Sequence, residues 1–210
     1  PIVGVITEDR LLNESEVVFG IPGADYPSAR TIEPRPEGDE RKGFDKLILT
    51  ADRHSLILEL RESGIFDSSV LSAIEKIPRE NFITENFRNQ AYENIAIPIG
   101  ENQTISQPYI VALMTESLEL QKNHKILEIG TGSGYQCSII SLLVRRVYTI
   151  ERIKSLLINA ENKFKELKLN NIVSKHGDGN LGWPAQVPFD RIIFTAATKS
   201  ISKIFIEHIA

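Results

Sequence analysis

The chain has 210 residues, of which 41% are hydrophobic, and its 24 basic and 28 acidic side chains give a formal net charge of −4. This size and composition predict one ordinary soluble domain with appendages. They give no electrostatic argument for nucleic-acid binding, the single cysteine excludes an internal disulfide framework, and no apolar run approaches the roughly 20 residues of a membrane span. The first residues lack the basic start and long apolar core of a secretory signal, so we expect a cytoplasmic protein.

Residues 1–50 differ in composition from the rest of the chain. Two short runs of β-forming residues, at 2–6 and 16–21, precede a stretch rich in proline, glycine and charged residues. Residues 33–42 are predicted to form a solvated loop or linker. We interpret residues 1–50 as an N-terminal extension, to which the sequence assigns no chemistry.

Residues 51–120 are predicted to be mainly helical. One helix stops at Gly64, because glycine suits the left-handed position that often follows a helix. A second helix is capped by Asp67 or Ser68 and ends before Pro78, whose ring disfavours a helical conformation in the preceding residue. Together these helices predict a helical subregion before the main sheet.

A third helix is predicted to start at Pro108, where the missing N–H of proline costs nothing in the first turn. One side of it recurs at helical spacing and comprises Ile110, Leu113, Met114, Ser117 as a weak member, and Leu118. Residues 95–106 (IAIPIGENQTIS) have too many turn-forming residues for a helix and are predicted to form a short strand and a loop. We interpret residues 51–120 as the helical N-terminal part of the main domain.

Residues 121–210 alternate between strand-like and helix-like segments. The predicted strands span 126–129, 147–150, 172–175 and 191–195, and the predicted helices span 136–143, 153–167 and 200–209. Strands that alternate with helices predict an α/β fold with a doubly wound, mostly parallel sheet, which binds its ligands at the carboxyl ends of the strands.

The fourth predicted strand, residues 191–195, raises a question about the sheet edge. Only one helix follows it before Ala210, and an uncovered edge strand is rarely tolerated. We therefore expect either that further strands are missing after Ala210 or that another segment covers this edge. Residues 1–50 are a candidate for such a cover.

The segment KILEIGTGSGY at residues 125–135 is the most informative motif of the chain. A strand runs into three glycines, Gly130, Gly132 and Gly134, and a helix follows whose amide groups point back toward the turn. This arrangement is typical of a nucleotide-binding loop. The dinucleotide fingerprint requires glycine where Tyr135 stands, so the spacing favours the loop of S-adenosylmethionine-dependent methyltransferases over an NAD site.

Two acidic residues at later strand ends are candidate ligand-binding residues. Glu151 closes the second strand 21 residues after Gly130, where a carboxylate can accept hydrogen bonds from both ribose hydroxyls. The alternative is a surface acid paired with Arg152 or Lys154, and we favour the ligand role because of the spacing. Asp178 follows the third strand between glycines, where it either forms an ordinary turn or reaches an adenine amino group.

Ser106 stands immediately before the third helix, in the segment TISQP. Alone it would be interpreted as an N-cap. No histidine or aspartate has triad-like spacing to it, and the four histidines do not cluster, so we expect neither a hydrolase nor a metal site. Cys137 has no apparent basic partner to lower its pKa and is interpreted as a small apolar side chain.

Several segments together resemble the protein-L-isoaspartate O-methyltransferases. The matching pieces are VLSAIEKIPRENF (70–82), QTISQPYIVALMTE (103–116), ILEIGTGSGYQ (126–136), GDGNLGW (177–183) and PFDRIIFTAA (188–197). The pairing of QTISQP with EIGTGSGY is specific to this family, whereas the glycine loop alone would mark only the superfamily. The resemblance covers residues 52–210, and family members continue through further strands after the point where this chain stops.

The resemblance implies a Rossmann-like, S-adenosylmethionine-dependent enzyme of protein repair. Such enzymes methylate the free α-carboxylate of L-isoaspartyl residues in damaged proteins and release S-adenosylhomocysteine. The resemblance makes Ser106 the catalytic residue. It implies that the cofactor is held by Glu128, Gly130, Thr131, Gly132, Ser133, Gly134, Glu151, Asp178 and Gly179. It implies a peptide seat formed by Thr104, Ile105, Gln107, Thr195, Ala196 and Ala197.

A sparse site of this kind is chemically sufficient. A carboxylate nucleophile is ionised at neutral pH, with a reference pKa near ~4, so no general base is required. Alignment of the reacting atoms is the remaining task, and we expect Ser106 to orient the acceptor by one hydrogen bond. The alternatives are another methyltransferase of this class, acting on a small molecule, and a cofactor-binding fragment without turnover. We expect damaged proteins as partners, no metal, and a monomer.

Overall fold

The computed structural model describes residues 2–6, 39–198 and 202–209 of the chain. The β run predicted at residues 16–21 lies outside these residues. The prediction of a loop over residues 33–42 is wrong for its last part, because helix α1 (Asp39–Glu62) already includes residues 39–42.

A five-stranded sheet forms the centre of the molecule. Its strands are β1 (Ile2–Ile6), β4 (Lys125–Ile129), β5 (Arg146–Glu151), β6 (Ile172–His176) and β7 (Arg191–Thr198), and their order across the sheet is β1-β7-β4-β5-β6. The last four strands run parallel to one another, while β1 is antiparallel to β7. The four strands predicted from the βα alternation and the mostly parallel sheet are therefore confirmed.

The edge of β7 is covered by the N-terminal extension. Ile6 pairs with Ile192 and Gly4 pairs with Phe194, so the backbone groups on the outer side of β7 meet those of β1. Of the two explanations offered for this edge, the structure therefore shows a cover by residues from 1–50. A covered edge does not present unpaired N–H and C=O groups to other chains.

The remaining helices flank the sheet or precede it. They are α2 (Ser68–Lys76), α3 (Pro108–Ser117), α4 (Tyr135–Ser141), α5 (Lys154–Glu166) and the short α6 (Ile204–Glu207). Asp67 is the N-cap of α2, since its Oδ1 accepts hydrogen bonds from the N–H groups of Ser69 at 2.7 Å and Val70 at 3.2 Å. None of the helices in the described part of the chain combines the length and apolar character needed to span a bilayer.

The final predicted helix is much shorter than expected. Of residues 200–209, the described ones form a helix only over α6, and Ile209 instead forms an isolated parallel bridge with Phe189. The Phe205 side chain is buried against Phe194 at a ring-centroid distance of 4.8 Å. Packing of this segment against the sheet therefore outweighs its helical periodicity.

Residues 95–106 contain a two-stranded hairpin where one strand and a loop were predicted. Strands β2 (Ile97–Gly100) and β3 (Gln103–Ile105) are antiparallel, and the turn residues Glu101 and Asn102 have φ values of 52° and 54°. Positive φ at both central residues is typical of a type I′ turn. The Ser155 hydroxyl donates a hydrogen bond to Glu101 Oε1 at 2.7 Å and so fixes the hairpin tip to the start of α5.

Side chains alternate across the central strands and divide the core into two apolar clusters. On β4, Ile126 belongs to the larger cluster, to which α1 to α5 contribute, while Leu127 and Ile129 belong to a smaller cluster with Phe189 and Phe205. Glu128 therefore points to the same side as Ile126. This alternation decides which side chains at the end of β4 can reach a ligand.

Candidate active site

A cavity of about 340 Å³ lies at the carboxyl ends of β4, β5 and β7. Its walls are formed by residues 103–106, 129–133, 150–153, 178–180 and 194–196, together with Val111, Tyr135 and Gln136. This is the position at which doubly wound sheets bind ligands, and the volume lies within the range of small-molecule sites. Most of the candidate site residues predicted from the sequence line this cavity.

The glycine loop is packed tightly between β7 and α5. Gly130 has a φ of 102°, and a Cβ at this position would lie 2.6 Å from Ala196 Cβ. Gly134 has a φ of 86°, and a Cβ there would lie 2.7 Å from Phe164 Cε1. Both positions therefore require glycine for conformation and for space. The tight packing holds the loop at the floor of the cavity.

Glu151 joins the glycine loop to the start of α5. Glu151 is only 6% exposed. Its Oε2 accepts a hydrogen bond from Gly132 N–H at 2.8 Å, and its Oε1 accepts one from Ile153 N–H at 2.9 Å. Within the described part of the chain it forms an ion pair with neither Arg152 nor Lys154. A carboxylate has about four acceptor positions, so two of them stay available for hydroxyl groups in the cavity.

Asp178 forms a turn and lines the cavity at the same time. Its Oδ1 accepts hydrogen bonds from Asn180 N–H at 2.9 Å and from Asn180 Nδ2 at 3.0 Å. Its Oδ2 forms no hydrogen bond with any described residue. A Cβ on Gly179 would lie 2.5 Å from Ile129 Cγ2, so glycine lets this turn approach β4 closely.

The Ser106 side chain is not a helix cap. The N-cap of α3 is Gln107, whose side chain makes no capping bond, and the Tyr109 N–H donates to Asn94 Oδ1 at 2.9 Å instead. The Ser106 hydroxyl forms no hydrogen bond with any described residue, and Ser106 lines the cavity. The structure therefore excludes the alternative that Ser106 is only an N-cap, and its hydroxyl is available to a ligand.

The residues expected to seat a peptide differ in their positions. Thr104, Ile105, Thr195 and Ala196 line the cavity, whereas Gln107 does not. The Thr195 hydroxyl lies 3.0 Å from the carbonyl oxygen of Ile129 and 2.5 Å from that of Gly130, and it donates to these two oxygens. Thr195 thus holds the glycine loop against β7. The side chain of Ala197 lies outside the described residues.

Glu128 and Gly134, two of the expected cofactor contacts, lie outside the cavity wall. Glu128 is 0% exposed, because the strand alternation turns its side chain beneath the loop. The Thr149 hydroxyl donates to Glu128 Oε2 at 2.5 Å, and the hydroxyls of Thr149 and Thr131 are 2.6 Å apart. Glu128 therefore supports the loop from below through two threonines and has no direct access to a cavity ligand.

Burial raises the pKa of the Glu128 carboxyl to about 8, while its hydrogen bonds with Thr149 and Cys137 act in the opposite direction. Desolvation penalises the ionised form. Burial likewise raises the pKa of the Cys137 thiol, with the nearby Glu128 as a second cause. Cys137 is fully buried, which agrees with its interpretation as a small apolar side chain.

In the described part of the chain, no three His, Cys, Asp or Glu side chains are grouped as a metal site would require.

We expect the pH dependence of stability to change in a Glu128→Gln variant. Between the ordinary pKa of 4.5 and the folded-state value of about 8, the folded protein keeps a proton that the unfolded chain releases. The free energy of unfolding therefore falls as pH rises through this interval. Glutamine cannot ionise, so the variant should gain stability relative to the parent between pH 5 and 8, on the order of a few kcal/mol. Urea unfolding at each pH measures this difference, and parallel curves for the two proteins would contradict it.

Several residues of the cavity region were not predicted as site residues, among them three polar ones. Arg152 and Asn180 line the cavity, and buried Arg79 donates from Nη2 to the Ser106 carbonyl oxygen at 2.8 Å. Arg152 and Asn180 could have been found from their places beside Glu151 and Asp178. Nothing in the local sequence distinguishes Arg79 from a solvated arginine.

Comparison with known proteins identifies the family. The family model described as protein-L-isoaspartate(D-aspartate) O-methyltransferase matches residues 51–210. The protein-L-isoaspartate O-methyltransferase of Parvibaculum lavamentivorans is 52% identical over 158 residues, which cover 75% of this chain and 71% of that protein. The enzyme of the same name from Paramagnetospirillum magneticum is 53% identical over 154 residues, covering 73% of this chain and 72% of that protein.

A solved structure with the same name supports this assignment. It has a TM-score of 0.68 and 27% identity to this chain, and the match covers 75% of this chain and 52% of that one. The chain therefore spans about half the length of that solved protein. On the family match and the sequence identities, the chain belongs to the protein-L-isoaspartate(D-aspartate) O-methyltransferase family.

Proposed function

We propose that the chain transfers a methyl group from S-adenosylmethionine to the free α-carboxylate of L-isoaspartyl residues in damaged proteins. The observation that carries the proposal is that one cavity is lined by the glycine loop, by Glu151 and by Ser106, whose hydroxyl has no hydrogen-bond partner among the described residues. A donor site and an acceptor-orienting group are therefore close together. Membership of the family supplies the substrate class.

The residues of the cavity fit S-adenosylmethionine. The glycine loop offers a backbone that a ligand can approach closely, Glu151 has acceptor positions left for a ribose, and Asp178 Oδ2 is unpaired among the described residues. We propose that Gly130, Thr131, Gly132, Ser133, Glu151, Asp178 and Gly179 hold the cofactor directly, and that Glu128 and Gly134 support the loop. When bound, the cofactor supplies a methyl group activated by a sulfonium leaving group.

The chain's own residues then have to align the acceptor and exclude water. Ser106 donates a hydrogen bond to one oxygen of the acceptor carboxylate and leaves the other oxygen to react. That carboxylate is already ionised at neutral pH, which agrees with the lack of a general base beside Ser106 in the described part of the site. The β2–β3 hairpin contributes Gln103, Thr104 and Ile105 to the cavity wall and shields the reacting atoms from solvent.

We propose that the damaged peptide enters along the exposed rim of the cavity. Thr104 and Ala196 are exposed cavity residues, so they are placed to contact a protein substrate. Ile105 and Thr195 support them from behind, and Gln107 follows Ser106 outside the wall. We further propose that residues 51–120 present the acceptor loop, that residues 121–210 hold the cofactor, and that the extension serves to cover β7. The protein acts as a monomer in the cytoplasm.

We expect the parent protein to methylate an isoaspartyl peptide and to leave its aspartyl twin unmethylated. In a Ser106→Ala variant, turnover on the isoaspartyl peptide should fall about 10- to 100-fold, because one hydrogen bond to a charged group is lost. Affinity for S-adenosylhomocysteine, measured by calorimetry, should stay near that of the parent. Radiolabelled methyl transfer measures turnover.

Ser174→Ala is the matched control. Its hydroxyl donates to Glu161 Oε1 at 2.6 Å outside the cavity, so turnover should change little. Equal methylation of the two peptides would contradict the substrate assignment, and unaltered turnover in Ser106→Ala would contradict the role of this residue. Tight binding of S-adenosylhomocysteine without turnover on any peptide would favour the non-catalytic alternative.

A further inference from the structure

Arg79 is a buried cation for which the described structure provides no counter-charge. It begins a short 3₁₀ helix (Arg79–Phe82) after α2 and is 0% exposed. Arginine is rarely fully buried unless it is paired with an acid. Among the described residues, Arg79 forms no ion pair, and its Nε and Nη1 atoms have no hydrogen-bond partner.

Within the described part of the chain, Arg79 donates hydrogen bonds to two backbone carbonyls near the cavity. Nη2 donates to the Ser106 carbonyl oxygen at 2.8 Å and to the Ile95 carbonyl oxygen at 3.3 Å. These two residues flank the β2–β3 hairpin, one before β2 and the other after β3. One guanidinium group thus holds both ends of the segment that presents the Ser106 hydroxyl.

The same guanidinium group also contacts the cofactor side of the cavity. Its central carbon lies 4.8 Å from the centre of the Tyr135 ring, a distance typical of a cation–π contact. Tyr135 directly follows Gly134, begins α4 and lines the cavity. Phe82 packs edge-on against the same ring, with centroids 5.4 Å apart. Arg79 therefore connects the Ser106 segment with the end of the glycine loop.

If Arg79 had a purely structural role, its guanidinium group would be expected to have more hydrogen-bond partners and an acidic partner. Arg53, a neighbouring arginine on α1, shows such pairing: it donates to Tyr92 Oη at 2.8 Å, to the Glu75 carbonyl oxygen at 3.2 Å and to Glu80 Oε1 at 3.2 Å. Burial lowers the pKa of Arg79, while Tyr135 and Tyr92 act in the opposite direction. A buried charge without a partner is destabilising, and replacing buried charged groups by apolar side chains of similar size is often neutral or stabilising.

We propose that Arg79 is a positioning residue for methyl transfer. It fixes the backbone of Ser106 relative to the glycine loop, so that the acceptor oriented by the hydroxyl lies in line with the donor. The inference rests on the proposed function for its kinetic consequence. The link between the two sides of the cavity is a property of the chain alone. Because a misplacement of about 1 Å can lower a rate about a hundredfold, a clamp of this kind affects kcat more than binding.

The test compares Arg79→Met, Arg79→Lys and Arg53→Met with the parent. In Arg79→Met, kcat on an isoaspartyl peptide should fall about tenfold or more, while KM and the Kd for S-adenosylhomocysteine stay within about twofold. Amide hydrogen exchange of residues 103–107 should become faster. Arg79→Lys keeps one donor for the Ser106 carbonyl, so its kcat should lie between those of Arg79→Met and the parent.

Arg53→Met separates positioning from general stability. It removes an arginine with more hydrogen bonds from the same helical region, so its unfolding midpoint should fall at least as far as that of Arg79→Met, with kcat nearly unchanged. The proposal is overturned if Arg79→Met keeps the parent kcat, or if its loss of kcat is matched by Arg53→Met. If the parent itself does not methylate the peptide, the proposed function fails. If amide hydrogen exchange at residues 103–107 is unchanged in Arg79→Met, Arg79 does not fix the Ser106 segment, whatever the turnover.

Discussion

A Glu151→Ala variant is expected to bind S-adenosylhomocysteine about a hundredfold more weakly than the parent, or worse. The carboxylate would lose its hydrogen bonds with ribose hydroxyls, each of which contributes roughly 1.5–3 kcal/mol when the acceptor is charged, and about 1.4 kcal/mol corresponds to tenfold in affinity. The variant also leaves the N–H groups of Gly132 and Ile153 without their acceptor. Isothermal titration calorimetry of the two proteins measures the difference.

Two further variants identify the cause of such a loss. Glu166→Ala changes the net charge by the same amount at an exposed position paired with Lys163 and should bind like the parent. Glu151→Gln keeps one acceptor oxygen and the size of the side chain, so its affinity should lie between those of the parent and Glu151→Ala. Parent-like affinity in Glu151→Ala would exclude Glu151 from the cofactor site.

A Gly130→Ala variant is expected to lose both stability and cofactor affinity. At a φ of 102° an alanine is strained, and its Cβ would lie 2.6 Å from Ala196 Cβ and 2.8 Å from Ala196 N. Relief requires a shift of β7 away from the loop, which also breaks the hydrogen bonds that Thr195 donates there. Strain and overpacking together should cost roughly 3 kcal/mol or more of unfolding free energy. Chemical denaturation measures this cost, and calorimetry measures the affinity.

Gly64→Ala provides the control for backbone strain alone. Gly64 has a φ of 99°, close to that of Gly130, but no atom lies within 4 Å of the position its Cβ would take. This variant should lose only about 1 kcal/mol and should bind S-adenosylhomocysteine normally. If both variants lose the same unfolding free energy, the close contact with β7 adds nothing to the cost of backbone strain.

The parts of the fold that could be predicted depend on local signals. The strands of the βα region follow from apolar runs, and the glycine loop follows from three glycines whose positive φ values few other residues adopt. The Asp67 cap could also be predicted, because a short acidic side chain just before an apolar helical face is typical of an N-cap. Each of these features needs only neighbouring residues.

Other features depend on contacts between distant segments and could not be predicted. The side chain that accepts a hydrogen bond from the first turn of α3 is that of Asn94 and not that of Ser106. Asn94 comes next to this turn only when the chain has folded. The β2–β3 hairpin has Glu101 and Asn102 at its turn, without the glycine that usually marks such turns. The bond from Ser155 to Glu101 helps to hold it.

Glu128 illustrates how a residue of the glycine-loop motif can lie outside the cavity wall. The resemblance placed it among the cofactor residues because it stands two positions before Gly130. The pleat of β4 turns it away from the cavity and toward Thr149. The motif thus includes residues that shape the loop as well as residues that line the site.

The pairing of β1 with β7 also has a consequence for biosynthesis. Ile6 meets Ile192, so β1 finds its partner only after the residues between it and β7 have been translated. Such a distant pairing closes late, since the entropy of the intervening loop must be lost first, and the nascent chain is most open to unwanted association during that delay.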